Sequence, residues 1–133
     1  MGKPNKRTVK NPDPMSNSKT MAKEGMRIIK DIAFGKYNIY ESGHVFRNLD
    51  FIKATLTEVD KRLIEAQIHV NAMQYAYGSS TDPNVLNVLR RDQKSFEAWS
   101  LVRDVLTRII VSNGDTGFLQ VLASQLPVYR YNI

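Results

Sequence analysis

The chain has 133 residues, no cysteine, and nineteen lysines and arginines against thirteen acidic residues, which gives a formal net charge of +6. The length suits one domain, and the absence of cysteine excludes a disulfide framework and a thiolate metal site. No apolar run approaches the roughly 20 residues that a membrane span needs, so we expect a protein that is soluble or bound to a particle.

The N-terminal segment 1–20 holds most of the net charge. It contains five basic residues and one acidic residue, Asp13, and therefore carries +4 of the total of +6. Pro4, Pro12 and Pro14 oppose a helix there. We predict a basic tail outside the folded body, which contacts nucleic acid or a protein partner. The residues assigned to this contact are Lys3, Lys6, Arg7, Lys10 and Lys19.

A first helix is predicted over about residues 20–34, with its start near Ser18 to Thr20 and its stop at Gly35. Its inward face is predicted to consist of Ala22, Met26, Ile29 and Ala33. Two of these four side chains are alanines, so we expect this face to bury little. Residues 36–44 lack a helical period and predict an extended crossing segment.

A long helix is predicted over residues 45–77, because apolar side chains recur there at steps of four and three without interruption. They are Val45, Leu49, Ile52, Leu56, Val59, Leu63, Ala66, Val70, Met73 and Tyr77. Such a helix is roughly 50 Å long at 1.5 Å per residue. Its single apolar stripe needs a partner helix to cover it.

That partner is predicted over residues 83–113. Asp82 followed by Pro83 is a strong helix start, and Asn113 followed by Gly114 is a typical stop. The two long helices, joined by a short turn, indicate an antiparallel hairpin. Between Leu89 and Phe96 the inward position is polar, whether Asp92 or Gln93 takes it, so we expect a wet or exposed seam there.

A short last helix is predicted over residues 116–126, ending at Pro127. In residues 127–133 apolar and polar side chains alternate, which is typical of an extended segment. The predicted fold is therefore all-α: a helical domain over 21–126, built on the long antiparallel hairpin with shorter flanking helices, and extended N- and C-terminal arms. The C-terminal docking arm is assigned to Tyr129, Arg130, Tyr131 and Ile133.

Patterns typical of catalysis or cofactor binding do not occur in the sequence, and no catalytic residue, metal site or cofactor is predicted. There is no phosphate-binding loop, dinucleotide turn or nucleophile elbow. Glu65 and His69 share a helix face, but they lack the further ligands of a metalloprotease or di-iron site. We interpret them as a surface ion pair, and His44 as a residue at a helix entry. We expect the protein not to be an enzyme.

A basic cluster at Arg90, Arg91 and Lys94 has two interpretations. It can contact phosphate or a partner protein, since guanidinium groups pair with phosphate. It can also be an ordinary solvated helix face, which is the interpretation that we favour. Trp99 falls on the helical period together with Phe96. We therefore expect both rings in the core and not in a base-stacking platform.

The layout of a hairpin from Val45 to Ile110 with an extended arm from Pro127 to Ile133 resembles the small α-helical proteins of tailed-phage particles, such as the head-to-tail connector adaptors. The resemblance implies a structural virion protein, found in the virion or in the host cytoplasm before assembly. It also implies homo- and hetero-oligomeric contacts with other subunits, and contact with packaged DNA.

We therefore hypothesise a non-enzymatic assembly component of a large particle, such as a connector, ring or capsid-associated protein, with no membrane partner. One alternative is a helical nucleic-acid-binding module that acts through the basic tail. In that case affinity falls steeply with salt concentration. A second alternative is a helical subunit of a cellular complex such as a ribosome.

Overall fold

The computed structural model describes residues 17–36, 38 and 43–133, and every regular element in these ranges is helical. The all-α class is thus confirmed. The elements are the α-helices α1 (Ser18–Ala33), α2 (Leu49–Tyr77), α3 (Pro83–Val111) and α4 (Leu119–Gln125), and the 3-10 helices Gly43–Arg47, Thr116–Phe118 and Leu126–Asn132.

The first two α-helices begin at asparagine caps. The Asn17 side chain accepts hydrogen bonds from the backbone N–H groups of Lys19 and Thr20, at 2.9 and 3.1 Å. Helix α1 therefore starts inside the segment that was predicted to be a tail, and Lys19 belongs to its first turn. The Asn48 side chain caps α2 in the same way. Residues 43–47, predicted as the end of the crossing segment and the first residues of the long helix, form a separate 3-10 helix.

This 3-10 helix is anchored by Phe46. Its ring is fully buried and packs edge-to-face on the ring of Phe51, with 5.2 Å between centroids and an interplanar angle of 86°. An edge-to-face pair stabilises by about 0.5 to 1.5 kcal/mol beyond the burial of its area. The contact holds the chain against α2 just before the Asn48 cap.

Two helix stops follow the sequence prediction. Gly35 has φ +73° just after α1, and Asn113 and Gly114 have φ 60° and 103° just after α3. Positive φ costs glycine little and asparagine less than most residues, which is why these residues end helices.

Helices α2 and α3 are the longest elements, with 29 residues each, and they pack against each other along their length. Arg103 Nε lies 3.4 Å from Asp60 Oδ1, and His69 Nε2 lies 3.1 Å from Asp92 Oδ2. Residue numbers rise along α2 as they fall along α3, so the helices run antiparallel.

The core lies at one end of this helix pair, where α1, the 3-10 helices and α4 pack against it. Among its large, almost fully buried side chains are Ile28, Ile29, Ile32, Phe46, Phe51, Ile52, Val59, Leu106, Ile109, Leu119, Leu122 and Leu126. The prediction that α1 buries little is therefore wrong. Helix α1 contacts α2, α4 and the C-terminal 3-10 helix at once, so it is covered on more than one face.

The small residues of α1 allow this helix to cross α2 at close range. A Cβ atom built on Gly25 would lie 1.9 Å from Thr55 Oγ1 on α2. Thr55 is itself fully buried, and its hydroxyl donates to the Phe51 carbonyl at 2.9 Å. Because Gly25 has no side chain, the two helix backbones can approach at this point, and the flanking isoleucines reach the core.

The prediction of an extended C-terminal segment over 127–133 is wrong. Residues Leu126–Asn132 form a 3-10 helix, in which side chains three residues apart share a face. Leu126 is fully buried, and Tyr129 and Ile133 pack half-buried against the core. The alternation that predicted an extended segment coexists with the three-residue spacing of Leu126 and Tyr129, and contact with α1 and α3 selects the helical form.

Candidate interaction surface

The predicted tail contacts are divided by the structure. Four of them lie outside the described residues: Lys3, Lys6, Arg7 and Lys10. The same is true of three residues in the predicted crossing segment, Tyr37, Ile39 and Tyr40. Lys19 is exposed in the first turn of α1.

The basic cluster on α3 is exposed at all three positions. Arg90 Nη1 donates to Asn87 Oδ1 at 2.8 Å. Lys94 Nζ lies 3.9 Å from Glu97 Oε1 and 5.6 Å from the centroid of the Tyr129 ring. Lys94 thus contacts the C-terminal 3-10 helix of its own chain, and phosphate binding by this cluster stays a prediction.

Of the four residues assigned to the C-terminal arm, Arg130 and Tyr131 are exposed. Tyr131 keeps 79% of its surface accessible, and the Arg130 guanidinium lies 4.8 Å from its ring centroid. Tyr129 and Ile133 are engaged by the core of the same chain. A docking role for Arg130 and Tyr131 stays a prediction.

His69 pairs across the helix pair and not along α2 as predicted. Its Nε2 atom lies 3.1 Å from Asp92 Oδ2, so its partner is Asp92 on α3 in place of Glu65. Asp92 is the inward polar position that the sequence left open between Asp92 and Gln93. Its side chain is only 16% exposed, and Oδ2 is buried without an aligned hydrogen-bond donor. The seam between α2 and α3 therefore contains a mostly buried carboxylate whose ion-pair partner among the described residues is the largely exposed imidazole of His69.

We expect Asp92→Leu to raise the free energy of unfolding by about 1 to 2 kcal/mol, because a buried polar atom without a donor costs about that much and leucine continues the apolar seam. Urea denaturation followed by circular dichroism measures the change. His69→Ala is the matched control, since it removes the neighbouring imidazole and leaves the carboxylate in place. A less stable Asp92→Leu protein would show that the carboxylate is well solvated or well paired.

The chemistry available in the described residues is limited. Within these ranges no group of three or more histidine, aspartate or glutamate side chains is arranged to hold a metal ion. No helix in the part of the chain that the structure describes combines the length and apolar character needed to cross a bilayer.

A second apolar stripe on α2 is exposed. Ile64, Ile68 and Tyr75 are 59%, 63% and 96% accessible, and their spacing of four and seven residues places them on one face of the helix. This face lies away from the seam that meets α3. We call these three residues the tip stripe, and residues 64–95 the tip.

The tip projects beyond the core. Within residues 64–95 the only buried side chains are Val70 and Leu89, which belong to the seam. Even Tyr77, predicted as the last member of the buried stripe, is 48% accessible. Sequence reasoning treated α2 as a helix with a single apolar stripe and so missed the tip stripe, although its spacing was readable.

The end of the tip is almost free of charge. No lysine, arginine, aspartate or glutamate occurs in residues 66–81, and His69 is the one basic side chain there. An apolar face beside a stretch without charged side chains, on a projecting pair of helices, is typical of a surface that packs against another protein.

Comparisons of the chain with protein-family models, with curated protein sequences and with solved structures find no match.

Proposed function

We propose that this protein is a non-enzymatic assembly component of a large particle, and that it associates with further copies of itself through the tip stripe. The exposure of Ile64, Ile68 and Tyr75 is the observation that supports this proposal. Full burial of one isoleucine side chain stabilises by roughly 1.5 to 3 kcal/mol. Neighbouring tips that cover each other's stripes therefore gain enough to offset part of the cost of association.

The distribution of charge favours a second copy as the occupant. Segment 1–20 carries +4 of the net charge of +6, so contacts between copies near that segment bring like charges together. Residues 66–81 contain no lysine, arginine or acidic residue, and a contact there avoids that repulsion. The end of the tip, residues 66–81, is thus the surface at which this basic protein meets its own copy at the lowest electrostatic cost.

The proposal includes the architecture of a projecting helical hairpin on a compact body. A helix of 29 residues is about 44 Å long at 1.5 Å per residue, and the core covers only part of α2. The part of α2 that lies in the tip can reach a neighbouring subunit. The likeness to connector proteins of tailed-phage particles now rests on the hairpin alone, since residues Leu126–Asn132 form a 3-10 helix and not an extended arm. We extend the proposal to a place in a virion, with Arg130 and Tyr131 as a second contact.

The double variant Ile68→Lys/Tyr75→Lys tests the proposal. We expect the unmodified protein to associate as its concentration rises in sedimentation equilibrium, and the variant to associate at least about tenfold more weakly, because two desolvated cations oppose packing.

The matched control is Phe34→Lys/Val111→Lys, which adds the same charge at side chains that are 49% and 80% accessible and lie outside both the tip and the C-terminal 3-10 helix. Thermal unfolding checks that both variants are folded. A monomeric unmodified protein at every concentration, or equal loss of association in the control, would contradict self-association through the tip.

A further inference from the structure

A groove of about 810 Å³ lies between α1 and α2, on the part of α2 that precedes the tip. Its floor is apolar and is formed by Ala22 and Met26 of α1 and Ala54 of α2. Met26 is 8% accessible, and the two alanines are half-buried. The small side chains leave a channel above the helix contact, because no large residue fills the space over them.

Both walls of the groove are basic. Helix α1 supplies four cations at steps of four, four and three residues, and α2 supplies two from adjacent positions. These residues are Lys19, Lys23, Arg27, Lys30, Lys61 and Arg62. Steps of three and four place the α1 residues along one side of the helix. Glu58 is the one carboxylate that lines the groove.

Some of these cations are already compensated. Arg27 Nη1 lies 2.6 Å from Asp31 Oδ2, and a hydrogen bond from Arg27 lowers the pKa of the Glu24 carboxyl. Lys61 Nζ and Arg62 Nε share Glu58, at 3.9 and 3.7 Å.

The other three basic side chains of the groove are not compensated in this way. Lys19, Lys23 and Lys30 form no ion pair with any carboxylate of the described residues. The groove therefore keeps three more cations than carboxylates even when Glu24 and Asp31 are included.

The ligand that complements this site is apolar on one side and anionic along both edges. Single-stranded nucleic acid is a poor fit, because no aromatic side chain lines the groove for base stacking. A duplex would place its phosphates against an apolar floor. A helix with a leucine-like stripe and flanking carboxylates matches both the floor and the walls.

That helix does not come from the chain itself. Helix α1 contains four basic residues against two acidic ones, and α3 five against three. Helix α2 forms one wall of the groove and contains only one more acidic residue than basic residues. Residues 1–16 contain four basic residues against Asp13. None of these segments has the charge that the groove requires.

We infer that the groove between α1 and α2 binds an acidic amphipathic helix of a different protein. Its apolar stripe lies on Ala22, Met26 and Ala54, and its carboxylates face the lysines of both walls. This goes beyond the proposed function, since the partner is another protein and the surface is separate from the tip stripe.

A charge-matched peptide series tests this inference. Three fluorescent 14-residue helical peptides share one stripe of leucines and carry glutamate, glutamine or lysine at the flanking positions. Fluorescence polarisation with the full chain should show tightest binding for the glutamate peptide, weaker binding for the glutamine peptide and none for the lysine peptide. Binding of the glutamate peptide should weaken as salt rises. A scrambled glutamate peptide without the stripe should bind at least about tenfold more weakly.

Variants locate the site. Lys23→Glu/Lys61→Glu reverses one charge on each wall and should weaken the glutamate peptide at least about tenfold. Arg47→Glu/Arg108→Glu makes the same charge change at exposed residues outside the groove and should leave the affinity within about twofold. Ala22→Gln alters the floor without altering charge and should weaken the peptide severalfold. The tip variant Ile68→Lys/Tyr75→Lys should bind the peptide normally, so failure of self-association and failure of this inference are distinguishable.

Three results would overturn the inference. One is no binding of the glutamate peptide. Another is equal binding of the scrambled peptide, which would reduce the groove to a diffuse basic surface. The third is that a single-stranded or duplex DNA of matched charge binds the protein more tightly than the peptide does, and binds the Lys23→Glu/Lys61→Glu variant more weakly. That result would assign the groove to nucleic acid.

Discussion

Gly25→Ala should lower the free energy of unfolding by about 2 kcal/mol, although alanine is the better helix former. The new Cβ would lie 1.9 Å from Thr55 Oγ1 and 2.8 Å from Thr55 Cβ, closer than van der Waals contact allows. Thr55 cannot rotate away without cost, because it is β-branched, fully buried and hydrogen-bonded to the Phe51 carbonyl. The helices must therefore move apart, and isoleucines of α1 lose contact with the core. Guanidinium denaturation measures the change.

A double-mutant cycle with Thr55→Gly separates this clash from a general effect of the substitution. In the Thr55→Gly background the atoms that oppose the new Cβ are absent, so Gly25→Ala should be neutral or stabilising by up to about 1 kcal/mol. The coupling between the two positions should thus be about 2 kcal/mol or more. Equal destabilisation in both backgrounds would show that Gly25 does not mark the helix crossing.

Leu126→Ala should lower the free energy of unfolding by about 3 kcal/mol, which is typical of deleting most of a buried leucine. Leu126 is fully buried and belongs to the same core as Ile29 and Leu122. The substitution removes the anchor of the C-terminal 3-10 helix, which contacts both α1 and α3. Thermal and urea unfolding of the isolated chain give the magnitude.

Val128→Ala provides the control for this prediction. It lies in the same 3-10 helix, but its side chain is 73% accessible, so its truncation should change stability by less than about 0.5 kcal/mol. If Leu126→Ala were equally silent in the isolated chain, the C-terminal residues would not belong to the folded body. The earlier interpretation of an arm that docks on neighbouring subunits would then regain support.

Features that depend on neighbours in the chain could be predicted from the sequence. Asp82 and Pro83 start α3, and its end at Asn113 and Gly114 was read from the residues alone. These signals work because capping hydrogen bonds and positive φ values involve only a few adjacent residues. The apolar steps likewise indicated the buried and half-buried side chains of α2 from Leu49 to Met73.

The candidate sites could be predicted only in part from the sequence. Lys19 was assigned to the tail, Lys23 and Lys30 were not singled out, and the tip stripe was missed. The spacing of these residues is periodic and could have been noted. The spacing alone does not show that the lysines of α1 face Lys61 and Arg62 across an apolar floor.

The sequence of this protein was sufficient for its helical class, for the helix stops at Gly35 and at Asn113 and Gly114, and for the start of α3 at Asp82 and Pro83, since each depends on short-range geometry. The burial of α1, the 3-10 form of residues 126–132 and the choice of Asp92 as the partner of His69 required the packed structure. In each case two or more local patterns were compatible with the residues. Contacts between segments far apart in the chain select one, because the burial of side chains such as Leu126 outweighs the small local preferences.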